Sequence, residues 1–168
     1  MAGYSGNNDS SDDLFLNTNR SVERLEELPI LYITSFGHRR GPLHPTPDIL
    51  VDIRKLPNPP KSMRTASQTG LHKPLREAFL SNDEVRKRFE AICEQIRSRL
   101  KLADSNGETQ VHVAVCCELG KHRSVSMVEQ LGSTRFDGWN VVVQHRDVHL
   151  TRSQAKGSNN VSEGGKTK

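Results

Sequence analysis

Aromatic residues are scarce in this chain, 5% of 168 residues with a single tryptophan, and there are only three cysteines. Cys93, Cys116 and Cys117 are odd in number and lack the paired spacing of a disulfide framework or a zinc site. The sequence therefore predicts reduced thiols, no metal centre and no cofactor. No apolar run approaches the roughly 20 residues that cross a bilayer, and Met1 to Asp13 has no basic and apolar signal pattern. A soluble, cytoplasmic protein with no membrane partner is the expectation. There is no internal repeat and no Gly-x-x-x-x-Gly-Lys-Ser/Thr loop, so ATP binding has no sequence basis.

Basic charge is likewise scarce at the start of the chain. Residues 1–28 carry six carboxylates against Arg20 and Arg24, a net −4, whereas the whole chain is +4 and the remainder therefore +8. A body of that sign attracts phosphates, RNA or anionic surfaces, although a solvated face has the same composition. Residues 1–28 and 151–168 are polar and unable to bury a core, which predicts a disordered acidic tail and a disordered basic tail around one domain at 29–150. A short helix over Ser21 to Leu28 is compatible with Pro29 as its stop.

Within that domain the apolar residues come in short runs. Pro29 to Thr34 reads as a strand that turns at Ser35-Phe36-Gly37, and Asp48 to Arg54 as a second, its continuous apolar stretch predicting cover on both faces. Lys55 to Gly70 is a proline-rich loop of the length that often carries function, and Thr69-Gly70 turns into a helix near Lys73-Pro74. Ser81 with Glu84 has the spacing of a capping box, followed by Val85, Phe89, Ile92, Ile96 and Leu100 at helical period. The charged face of that helix reads as solvated, and Cys93 as a small buried hydrophobe. Val111 to Cys116 predicts a central strand, Ser124 to Arg135 a helix, and Trp139 to Gln144 a last strand with Trp139 in the core. Helix-linked strands predict an α/β fold with a small, mainly parallel sheet flanked by helices.

The stretch from Cys117 to Ser124, placed after a strand and before a helix, concentrates the chemistry. Gly120 permits close approach, Lys121 and His122 add positive charge, and Arg123 with the first amides of the helix suits an anion such as phosphate. Three readings stand side by side. The spacing resembles a cysteine phosphatase loop, with Cys117 as nucleophile and Arg123 holding the transferring group, but no secure general acid stands out and Asp52 and Asp48 are no more than candidates. The same loop serves equally as a non-catalytic anion site, or as a buried cysteine pair beside a helix start.

Ser35-Phe36-Gly37, Asp52-Ile53-Arg54 with Leu56-Pro57-Asn58-Pro59, Thr69-Gly70, Cys117, Gly120 to Val125, Glu129-Gln130-Leu131 and His145-Arg146 resemble, in order and spacing, the C-terminal domain of the RapZ family of bacterial RNase adapter and nucleotide-binding proteins. The resemblance spans about residues 31–147. It implies a fold similar to part of phosphofructokinase. It also implies a non-catalytic module that binds an amino-sugar phosphate, and in some members RNA, as a sensor or adaptor with a protein partner. The ligand set it suggests is Asp52, Arg54, Asn58, Cys117, Gly120, Lys121, His122, Arg123, Ser124, His145 and Arg146. His38, Arg39, Arg40 and His44 form a basic loop open to RNA backbone. The chain departs from the family pattern at Glu118-Leu119, where relatives have small residues, and at Pro60. Full-length members carry a further P-loop domain, so the chain reads as the C-terminal-like domain standing alone.

Overall fold

A computed structural model describes residues 28–150, and the expected tails and the Ser21 to Leu28 helix fall outside these residues, Leu28 apart. The apolar runs become four strands: β1 (Ile30–Gly37), β2 (Ile49–Asp52), β3 (Gln110–Cys117) and β4 (Asn140–His145). They form one sheet in the order β2-β3-β1-β4, with every neighbouring pair parallel. Three helices, α1 (Lys73–Leu80), α2 (Asp83–Asn106) and α3 (Arg123–Gly132), connect them. Among the described residues no helix is long and apolar enough to cross a membrane.

The strand period of two sorts the side chains onto unequal faces. Leu31, Ile33, Val111, Val113 and Val115 lie on one face, each at most 1% exposed, and pack with Phe79 of α1, Ile92 and Ile96 of α2, and Met127 and Leu131 of α3. Burial of each such side chain stabilises by about 1.5–3 kcal/mol, so this layer dominates the fold. The opposite face holds a smaller cluster of Phe36, Ala114 and Cys116 under Leu43, with Tyr32 stacked on His112 at 4.7 Å. Leu50, in edge strand β2, is 60% exposed on that face. The expectation that this strand is covered on both faces is therefore corrected. Its apolar run alternates in burial, and the strand stops at Asp52 because that carboxylate accepts the Arg54 amide at 2.9 Å and turns the chain.

Helix α2 follows the predicted stripe, burying Val85, Ile92, Cys93, Ile96, Leu100 and Ala103. Its cap is not Ser81, which instead follows the end of α1 and donates to the Ala78 carbonyl at 2.9 Å. Asn82 takes the role: its Oδ1 accepts from the Glu84 and Val85 amides at 2.9 and 3.3 Å. At the other end Gly107 adopts φ +69°, and the Glu108 amide reaches the Ala103 carbonyl at 2.9 Å, the bond of a Schellman stop. Trp139 is buried as expected and donates its indole N–H to Asp104 at 3.0 Å.

The connections out of β1 and β3 diverge: the chain leaves β1 toward β2 on one edge, and leaves β3 through α3 toward β4 on the other. In open parallel sheets such a divergence opens a crevice at the carboxyl ends of the strands. The loops after all four strands gather there.

Candidate functional site

The carboxyl ends of β1 and β3 come together at Gly37 and Cys117, which are register partners. The next turn is a contact of backbone on backbone. A Cβ on Gly37 would lie 2.5 Å from the Leu119 carbonyl carbon, and one on Gly120, whose φ is +71°, would lie 2.5 Å from the Gly37 nitrogen. Glycine is needed at Gly120 for both reasons. Gly70 is similarly pressed against α3, its amide donating to the Lys121 carbonyl at 2.9 Å and its Cα facing the Ser126 nitrogen, which a Cβ would approach to 2.5 Å. Thus the Lys55 to Gly70 loop arches over the 117–123 loop, as two further bonds confirm: Lys121 Nζ donates to the Ala66 carbonyl at 2.5 Å, and His122 Nε2 lies 3.0 Å from the Gln68 carbonyl oxygen.

Between these loops lies a cleft of about 340 Å³. Of the expected ligand residues, Asn58, Cys117, Lys121, His122 and Arg123 line it, joined by Lys61 and Arg64. Among the described residues its one lining carboxylate, Glu118, is ion-paired to Arg39. Helix α3 begins at the cleft with His122 in the capping position, and the His122 side chain makes no capping hydrogen bond to the first amides. Arg40, from the basic loop read as open to RNA, lines an adjoining cavity.

Several expected residues are placed differently. Arg123 is 8% exposed, and its Nη1 donates to the carbonyls of Arg54 and Leu56 at 2.6 and 2.7 Å. It is not the free two-pronged grip the spacing suggested. A buried guanidinium needs fixed acceptors, and here it ties the turn after β2 to the start of α3. Ser124 is wholly buried, its hydroxyl 3.1 Å from the Cys117 sulfur. Asp52 and Arg54 bind each other, with Arg54 Nε 2.9 Å from Asp52 Oδ2, and that guanidinium holds the Asp52 carboxyl down to about 2. Burial, and secondarily Asp52, push the neighbouring Cys116 thiol up to about 11. Asp48 is no acid for this cleft, since it precedes β2 at the opposite end of the sheet and pairs with Arg99 at 2.8 Å.

His145 and Arg146 lie outside the cleft. His145 sits 2.7 Å from Ser35 Oγ through Nδ1 and 3.0 Å from Glu129 through Nε2, under α3. Arg146 pairs with the buried Asp147 at 2.8 Å, donates to the carbonyls of Gly37, Gly41 and Pro42, and lies over the Phe36 ring. Asp147 in turn accepts the Gly37 amide at 2.7 Å. The pair clamps the end of β1, which is the physical reason these strand-end charges do not reach the cleft.

Lys61 and Arg64 were not singled out in the sequence. The only signal was the length of their loop, because nothing local shows that a proline-rich segment folds back over residues 117–123.

The family model for the RapZ C-terminal domain matches residues 29–149. Similar proteins include nucleotide-binding proteins of Staphylococcus aureus strains JH9, Newman and N315, each 31% identical over 126 residues that cover 74% of this chain. The chain spans 41% of the length of these relatives. The match takes in all four strands and all three helices, and both Gly37 and Gly120, on whose contact the cleft depends, lie within it. With that extent of agreement, the chain belongs to the RapZ C-terminal domain family.

Proposed function

We propose that the cleft binds a phosphorylated small molecule and that the domain acts through this binding as a sensor or adaptor, without catalysis. The observation that carries the reading is the charge balance at the start of α3. Among the described residues Lys61, Arg64, Lys121 and Arg123 line the cleft against one carboxylate, Glu118, which is engaged by Arg39. Amides and cations converging on one cleft favour an oxyanion. The relatives' name, nucleotide-binding protein, supports a phosphorylated ligand. An amino-sugar phosphate is the class that the family resemblance implies, with Asn58 placed to meet a hydroxyl or amine. The phosphatase alternative is disfavoured because Cys117 is 3% exposed and its sulfur is engaged with Ser124. A soluble cytoplasmic setting accords with reduced cysteines and with a metabolite ligand.

Calorimetric titration with glucosamine-6-phosphate and inorganic phosphate tests the reading. Wild type is expected to bind saturably and Lys121→Ala to bind at least about tenfold more weakly, the loss of one charge-assisted contact. Absence of binding by both ligands, or full affinity in Lys121→Ala, overturns it. Hydrolysis of an aryl phosphate that disappears in Cys117→Ser would instead establish the enzyme.

A further inference from the structure

The arch over the cleft ends in a turn that carries exposed hydroxyls. The Gln68 amide donates to the Thr65 carbonyl at 3.2 Å, which leaves Ala66 and Ser67 at the corners of that turn. Ser67 is exposed, lies outside any helix or strand, and has its hydroxyl 3.3 Å from that of Thr65. The residues on either side of it are tied down to the cleft loop. Lys121 Nζ donates to the Ala66 carbonyl at 2.5 Å, and His122 Nε2 lies 3.0 Å from the Gln68 carbonyl oxygen. Because the Ala66 carbonyl is bonded to the Ser67 nitrogen, covalent geometry alone keeps the Ser67 hydroxyl within about 7 Å of the Lys121 ammonium. Arg64, three residues before Ser67, lines the cleft with Lys121, and its Nε is buried with no hydrogen bond among the described residues.

An exposed serine in a surface turn, with an arginine three residues upstream, has the form that a basophilic protein kinase accepts as substrate. A phosphate there adds about −1.5 to −2 charge and three acceptor oxygens. Lys121 has donors beyond the one given to Ala66, on a flexible stem that can follow the phosphate. Building on the phosphate site proposed above, we propose that Ser67 is a phosphorylation site whose phosphate is drawn onto Lys121 and Arg64, taking the place of the free ligand. In the modification Ser67 Oγ attacks the γ-phosphorus of ATP held by the kinase. The new O–P bond forms as the bond from that phosphorus to the β,γ-bridging oxygen breaks, ADP leaves, and the hydroxyl proton passes to the carboxylate base of the kinase. The tether makes the competition effective. A group linked this closely acts at roughly millimolar effective concentration, so a site that holds phosphate at about 0.1 mM loses about tenfold in apparent affinity for a free ligand.

The test compares the full chain, unmodified and phosphorylated at Ser67, by phosphorus nuclear magnetic resonance and by calorimetry. An exposed phosphoserine takes up its second proton at about pH 6. Seated on Lys121 it is expected to do so at about pH 5.5 or below, because a neighbouring cation favours the dianion, and Lys121→Ala should return it to about 6. Affinity for inorganic phosphate should fall about tenfold on phosphorylation, while Ser67→Ala, which removes only the acceptor hydroxyl, binds as wild type does. Mass-spectrometric mapping of the protein isolated from its own cells is expected to find phosphate on Ser67. An unmodified Ser67 in that material, titration at about 6 with or without Lys121, or equal phosphate affinity of the two forms overturns the inference and leaves the phosphate site standing. Failure of inorganic phosphate and glucosamine-6-phosphate to bind the unmodified chain removes the free-ligand reading instead. A lowered titration that depends on Lys121 would then make phosphorylated Ser67 itself the anion of the cleft.

Discussion

The two ends of the sheet hold similar side chains and use them oppositely. At the amino-terminal end Arg99 meets Asp48 at 2.8 Å and Glu108 at 2.5 Å, and the second Asp48 oxygen accepts the His112 amide at 2.7 Å. One cation there answers two carboxylates. At the carboxyl-terminal end Lys61, Arg64 and Lys121 share a cleft in which the one carboxylate among the described residues, Glu118, is paired with Arg39. Each end has a buried guanidinium nitrogen with no hydrogen bond among the described residues, Nη1 of Arg99 and Nε of Arg64, so an orphaned donor alone does not mark a site. What separates the ends is net charge. At the amino-terminal end the cation is held by carboxylates of the fold, and at the carboxyl-terminal end cations outnumber carboxylates among the described residues.

The sharpest way to break this contrast is at the backbone that forms the basic end. Gly120→Ala forces a side chain into a left-handed turn and against the Gly37 nitrogen. A destabilisation of about 3 kcal/mol or more is expected, with loss of phosphate binding, readable by urea denaturation and calorimetry. An unchanged midpoint would mean the glycine contact does not shape the cleft. At the other end Arg99→Ala should cost about 1.5–3 kcal/mol, from lost hydrogen bonds between charged groups, and leave phosphate affinity untouched. Coupling of that variant to binding would show that the ends are not separate.

Lys121→Ala is expected to do the reverse. Its partner is a single exposed carbonyl, so the denaturation midpoint should hardly move while phosphate affinity falls about tenfold. The smallest effect concerns Asp52. Its folded carboxyl titrates near 2, against 3.8 ordinarily, because of Arg54. A depressed carboxyl contributes stability that is complete above its unfolded value and is lost as pH falls through the folded one, so the window is about pH 4 to 2. Because 47% of the side chain is exposed, screening limits the contribution to below about 1 kcal/mol. Asp52→Asn should flatten the acid limb of a stability profile by that amount and leave binding at pH 7 unchanged. A large loss of phosphate affinity would place Asp52 in the site after all.

The elements were legible because their causes are local. The stripe from Val85 to Leu100 repeats at helical spacing, and the run Val111 to Cys116 is too short and too β-branched for anything but a buried strand. The error at β2 shows the limit of that reasoning. Its residues look like a central strand, and only the strand order puts them at an edge with Leu50 in solvent. The cap moved from Ser81 to Asn82 because a separate helix ends one residue earlier, which a three-residue spacing does not reveal.

The candidate site divides along the same line. The loop between Cys117 and Ser124 declared itself through its glycine, its run of basic residues and its place between strand and helix, all of which are near in sequence. Which of those charges face a ligand was decided by contacts across the fold. Arg123 is spent on carbonyls 69 and 67 residues away, and Arg146 on carbonyls more than 100 residues away. Lys61 and Arg64 arrive from a loop with no pattern of its own. The sequence by itself determined the α/β class, the order of the elements and the position of a basic, glycine-containing loop between strand and helix, because each follows from periodicity and short-range chemistry. Tertiary structure alone decided which cations stay unneutralised at that loop, because a charge is cancelled by whatever the fold brings within a few ångströms of it.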